Sequence, residues 1–202
     1  MPVSIDRIMK MGTPRLDLQP GVYPGIIVGV VYPKEKDGSC EHDRGEFLLQ
    51  IHRGNDICYV PTMPFAISIN EESPLFELLS GLTGIRSADQ LYKWLEDNGY
   101  FQDDTFDERD FLGVPVNATV ARRTHRNPPN NPYNIVTGFA PIAEEHEPEL
   151  KTNRLIPYGF ARENKYELEM MDGLEVDKTY LNRAMTRKHA PDLNNGNTYV
   201  PH

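Results

Sequence analysis

The run Gly21-Val22-Tyr23-Pro24-Gly25-Ile26-Ile27-Val28-Gly29-Val30-Val31-Tyr32 decides how the rest of the chain is read. It is β-branched and aromatic, with glycines where a strand would bend or bulge. A long, curved first strand ending at Pro33 is therefore expected. The charged, glycine-punctuated stretch from Lys34 to Gly45 predicts a loop. Glu46–Arg53 reads as a second strand, Gly54-Asn55 as a tight connection, and Asp56–Pro61 as the start of a third.

The apolar period then changes. Ser73-Pro74 offers an N-cap followed by proline in the first helical turn, and Leu75, Phe76, Leu78, Leu79 and Leu82 recur at helical spacing up to Gly84. A second helix is predicted from Ser87 or Ala88 to Asp97, with Leu91, Trp94 and Leu95 on one face. Strand texture returns over Phe111–Thr124 and Tyr133–Ile142. The proline-rich segment between them cannot extend the ladder. After Ile142 the apolar texture thins, with one helix candidate near Asp177–Lys188. The expected organisation is a lead-in at 1–15, a compact domain at 16–142 and a polar C-terminal extension at 143–202, partly disordered or docking on a partner.

Three strands, a helical insert and two more strands is the element order of an OB-fold. The predicted class is thus mainly β: an OB-fold-like five-stranded Greek-key barrel with a helical insert between strands three and four, plus the extension. An SH3-like barrel and an α+β sandwich are the alternatives, and neither usually places its helix there.

Composition narrows the function. The chain has 202 residues, with 39% hydrophobic and 25% charged. No apolar run nears the ~20 residues that span a bilayer. The N-terminus carries no long apolar stretch of the secretory kind, and the two cysteines do not make a disulfide scaffold. A soluble, cytoplasmic protein is expected. Net charge is −9, so broad attraction to polyanions is excluded and only a local basic patch would bind one. One such patch stands out. From Arg122 to Tyr133 there are three arginines (Arg122, Arg123 and Arg126) and no acidic residue. This is the predicted connection between strands four and five, which flanks the oligonucleotide face in OB-folds.

Arginine pairs with phosphate and stacks on bases, and Tyr133 offers a further stacking surface. Lys34, Lys36 and Arg44 in the first loop add positive charge, offset there by Glu35, Asp37, Glu41 and Asp43. Tyr59 and Phe47 are further candidates for base stacking, with barrel core as the competing reading. In the extension, Leu155, Ile156, Tyr158 and Phe160 are candidates for docking on a partner subunit, whether a second copy or a replication or assembly protein.

Four blocks carry a resemblance. They are Leu16–Tyr32, Ser73–Gly84, Phe106–Val116 and Tyr133–Ile142. They include Gly21-Val22-Tyr23, Leu82-Thr83-Gly84, Asp110-Phe111-Leu112-Gly113 and Tyr133-Asn134-Ile135 with Pro141. In this order they resemble small phage and prophage proteins with single-stranded-DNA-binding-type OB-folds. The resemblance implies a protein that coats single-stranded DNA during replication or recombination. The residues themselves leave DNA against RNA open.

Other chemistry is sparse. Cys40, His42, His52 and Cys58 can be drawn as four zinc ligands, but no Cys-x-x-Cys knuckle is present and two of them fall in predicted strands. No metal or cofactor is expected. The carboxylates Asp103, Asp104, Asp107, Glu108 and Asp110 read as a solvated acidic connection. No phosphate loop or nucleophile elbow appears, and an enzyme is not expected. The rival to nucleic-acid binding is an interaction or assembly protein on a similar barrel.

Overall fold

The computed structural model describes residues 18–35, 37–40, 42–102, 105–124, 132–160 and 165–178. Among them the protein is mainly β, with a seven-stranded antiparallel sheet, a separate two-stranded pair and two α-helices. Strands β1 (Gly21–Pro33), β2 (Arg44–Arg53) and β3 (Asp56–Pro61) form a meander, turned at Gly54 with φ 60°. The short β4 (Phe65–Ala66) returns onto β2. Helices α1 (Pro74–Thr83) and α2 (Ala88–Asp97) follow, then the pair β5 (Phe101–Gln102) and β6 (Thr105–Phe106). Strands β7 (Pro115–Thr124), β8 (Pro132–Ala140) and β9 (Tyr166–Met170) complete the sheet. Its order is β3-β2-β1-β7-β8, with β9 paired to β1. Among the described residues no helix is long and apolar enough to cross a membrane.

The first three strands and both helices lie where the apolar periods put them. Ser73 caps α1 as its sequence position predicts, its Oγ accepting from the Phe76 N–H at 3.0 Å. Gly84 ends the helix in the left-handed region, its N–H donating to the Ser80 carbonyl at 2.8 Å. The predicted start of the fourth strand differs. Glu108–Phe111 is a 3-10 turn, started by the Asp107 carboxylate accepting from the Arg109 N–H, and β7 begins only at Pro115.

β1 is the central strand. It holds β2 along one edge, and β7 and then β9 along the other. The pairing with β2 slips between Ile27 and Gly29, so the expected glycine bulge is there. Its effect is to change which side chains share a face. Ile27, Val30 and Tyr32 all enter one core with Phe47, Leu49, Ile51, Val60 and the apolar faces of the helices. Ile26, Val28 and Val31 enter a second core on the opposite face with Leu48 and Tyr59. Both faces of β2 are buried for this reason.

The second core corrects the expected boundary at 142. Its lid is the described part of the extension, with Ile156 and Leu174 buried and Phe160, Leu168 and Met170 packed around them. Tyr166-Glu167-Leu168-Glu169-Met170 alternates apolar and acidic residues, a strand pattern hidden in acidic surroundings. The helix candidate near 177–188 lies, from 179 onward, outside the described residues.

Glu46 sits in β2 opposite Val31, and burial pushes its carboxyl up to about 7. The folded chain then holds a proton that the unfolded chain, titrating near 4.5, gives up sooner. Stability from this site is fully present below the unfolded value and is lost as pH rises through the folded one. Glu46→Gln should therefore gain on the parent protein between about pH 5 and about pH 8, by up to about 3 kcal/mol. Urea unfolding of both at the two pH values checks this. A pH-independent difference would refute it.

Candidate nucleic-acid interface

Strand β7 runs past the edge of the core, and its far end carries Arg122 and Arg123. Val116, Ala118 and Val120 are buried, whereas Arg122, Arg123 and Thr124 are exposed. Register sets Arg122 opposite Asn134 and Arg123 opposite Tyr133, so one arginine and the half-buried tyrosine form a cross-strand pair. The Arg123 guanidinium also reaches the Met63 sulfur, Nη2 to Sδ 3.3 Å. Between Asp110 and Glu144 the sequence holds no acidic residue. The whole of β7 and β8, and not only the loop, is therefore free of carboxylates. Arg126, in the connecting loop, lies outside the described residues.

The remaining cations are placed differently. Arg44 is exposed and pairs in β2 with Ala66 of β4. Lys34 is half-buried, and its backbone N–H donates to the Lys165 carbonyl at 2.8 Å, beside β9. Lys36 lies outside the described residues.

Phe47 and Tyr59 are corrections. Phe47 is fully buried, its ring 4.9 Å from Phe65 and flanked by Phe111 and Phe139. Alternation points it into the first core, so it has no face for a base. Tyr59 points to the other face, but the chain's own extension covers it. Its hydroxyl donates to the Arg154 carbonyl at 3.0 Å. Beside it, the Gln50 amide donates to the Lys151 carbonyl at 3.0 Å and accepts from the Lys151 N–H at 2.8 Å. Gln50 thus treats residue 151 as a neighbouring strand would. The outer face of β2 and β3 is occupied from within the chain.

The extension's docking candidates are affected in the same way. Ile156 is fully buried and bridges Val176, and Phe160 packs into the second core, so these two serve the chain's own sheet. Leu155 is half-buried, and Tyr158 starts a single 3-10 turn.

The proposed four-ligand set is split. Cys58 and His52 lie on β3 and β2. The His52 ring hydrogen-bonds Gln50, and its basicity is lowered by burial and by Lys151. Cys40 and His42 lie together in the first loop, at the side of Glu167. The acidic connection is not uniformly solvated either. Glu108 is buried and accepts a hydrogen bond from the Tyr32 hydroxyl, while Asp107 is paired with Arg109 at 2.6 Å. Asp103 and Asp104 lie outside the described residues.

One surface was not foreseen. An open groove of about 430 Å³ is lined by His42, Ile67, Ser68, Ile69, Tyr92, Phe101 and Phe106. Tyr92 is exposed, with its ring 4.4 Å from that of Phe101. Its position off the Leu91–Leu95 stripe of α2 was the one available signal. Compared with protein-family models, curated proteins and solved structures, the chain gives no match.

Proposed function

We propose that the protein is a non-catalytic OB-fold-like module that binds single-stranded nucleic acid, specifically single-stranded DNA in the replication or recombination of a phage or mobile element, in the host cytoplasm. The OB-fold part rests on a circuit of pairings. Gly21 pairs with Val120, Val120 with Val136, Val136 with Thr62 in a parallel bridge, and Phe47 with Val30 of the starting strand. Thr62 meets Phe47 through its N–H, which donates to the Phe47 carbonyl at 2.8 Å. The circuit returns to β1 displaced along the strand, as closing tilted strands into a barrel requires. Both helices follow β3 and precede β7, the order expected of this fold.

The binding part rests on one observation: the exposed Arg122 and Arg123 end a carboxylate-free hairpin in a chain of net charge −9. Arginine there tracks phosphates while Tyr133 offers a ring to a base. With the outer face of β2 and β3 covered from within the chain near residues 151–154, the hairpin end is where the strand is assigned to bind.

Fluorescence anisotropy with labelled oligothymidine, at low and moderate salt beside a duplex control, tests the reading. Binding to the single strand alone, weakened by salt, is the expected result. No binding at low salt overturns it and leaves an interaction or assembly protein on the same framework.

A further inference from the structure

The geometry points to a divalent metal site at Cys40, His42 and Glu167, taking zinc through one sulfur, one nitrogen and one oxygen ligand with a fourth position open. Their ligand atoms all lie within 4.8 Å of one another, and His42 Nε2 stands 3.6 Å from Glu167 Oε2. Tetrahedral zinc at its usual bond lengths sets its ligand atoms about 3.3–3.8 Å apart. The His–Glu separation is already of that size, and the thiol needs only a small closure.

Both sides of the site are held in place. On the loop, the Asp37 carboxylate accepts from the Ser39 N–H at 2.9 Å and the Ser39 hydroxyl at 2.6 Å. The Glu35 N–H donates to the Ser39 carbonyl at 2.9 Å, so the turn that delivers Cys40 is shaped locally. The His42 ring lies against Tyr32, with centroids 4.4 Å apart. Across from them, Glu167 is fixed by strand register, opposite Tyr32 on β1. The loop is thus joined to β9, a strand that comes from the far end of the chain.

The local charge suits a cation. A thiolate and a carboxylate repel without an ion between them, whereas a divalent ion neutralises both. On binding, the Cys40 S–H bond breaks, a sulfur–metal bond forms and the proton leaves to solvent. A mixed sulfur, nitrogen and oxygen set favours zinc over magnesium or calcium, which take oxygen ligands.

The test is a cobalt(II) titration of the reduced, metal-stripped full chain, read by the thiolate-to-cobalt absorption band, followed by zinc competition. The band should appear in the parent protein and disappear when zinc is added. Cys40→Ser should abolish it. Glu167→Gln should keep the band but weaken zinc binding at least about tenfold. Zinc should also raise the urea midpoint of the parent protein and leave that of Cys40→Ser unmoved. A missing band in the parent, a band that survives Cys40→Ser, or zinc affinity untouched by Glu167→Gln each overturns the site. Should Cys40→Ser fail to fold, Glu167→Gln, altered at a half-buried position on β9, carries the test.

Discussion

Replacing Arg122 and Arg123 together by alanine should weaken binding to labelled oligothymidine at least about tenfold and reduce the salt slope by about 1.4. Each phosphate neutralised on a single strand contributes roughly 0.7 to that slope, so two lost contacts set the figure. Both side chains are exposed at the end of β7, beyond the buried Val116, Ala118 and Val120, so the core does not depend on them. Tyr133→Ala separates the two parts of the mechanism. It should cost about 1–3 kcal/mol of stacking while leaving the slope unchanged. Anisotropy titrations at several salt concentrations give both quantities. An unchanged affinity in the double variant removes the hairpin as the site, even if the protein binds single strands elsewhere.

Gly81→Ala is expected to have the largest effect on stability among single-methyl changes in α1. A Cβ on Gly81 would overlap the Phe139 carbonyl oxygen of β8, and that oxygen is backbone within a paired strand. Alanine gains up to about 1 kcal/mol of helix propensity, but the overlap forces the helix off the sheet. Overpacking of this kind costs about 1–3 kcal/mol, and a rigid backbone neighbour puts this case at the upper end. A net loss of roughly 2 kcal/mol would lower the melting temperature by about 4–8 °C. The neighbouring residue supplies the control. Ser80 is buried, and among the described residues its hydroxyl has no hydrogen-bond partner. Ser80→Ala removes an unsatisfied polar atom and should be neutral or stabilising. Thermal melts of the two variants should therefore differ in sign or by several degrees. Equal and small changes would mean that α1 is not held as tightly to β8 as described.

The sequence made some of this legible and left the rest hidden. Local signals sufficed for β1, the Gly54 turn, the Ser73 cap and the leucine stripe of α1, because each depends on residues a few positions apart. They also marked the arginines, since a change of charge sign along an acidic chain needs no structure to be seen. Contacts between distant segments were not legible. Tyr59 and Gln50 pass for surface residues until the Lys151–Arg154 backbone is laid over them. Glu108 passes for a solvated acid until Tyr32 is brought to it. Cys40 and His42 were visible as a pair, but their third neighbour is set by the register of β9, which alternation hinted at and composition concealed.

The double edge of β1 has a consequence for the order in which the molecule is assembled. Gly21–Ile26 meet β7, but Gly29–Pro33 take their second partner from Tyr166–Met170. During synthesis the half-strand Gly29–Pro33 leaves the ribosome early and stays without that partner until nearly the whole described chain has followed. Contacts this distant in sequence slow folding, and an unpaired strand edge recruits other chains. A nascent chain halted after β8 would have built its first core while leaving this edge and the apolar face beside it open. Arrival of Tyr166–Met170, rather than completion of the first five sheet strands, is the step that closes this edge.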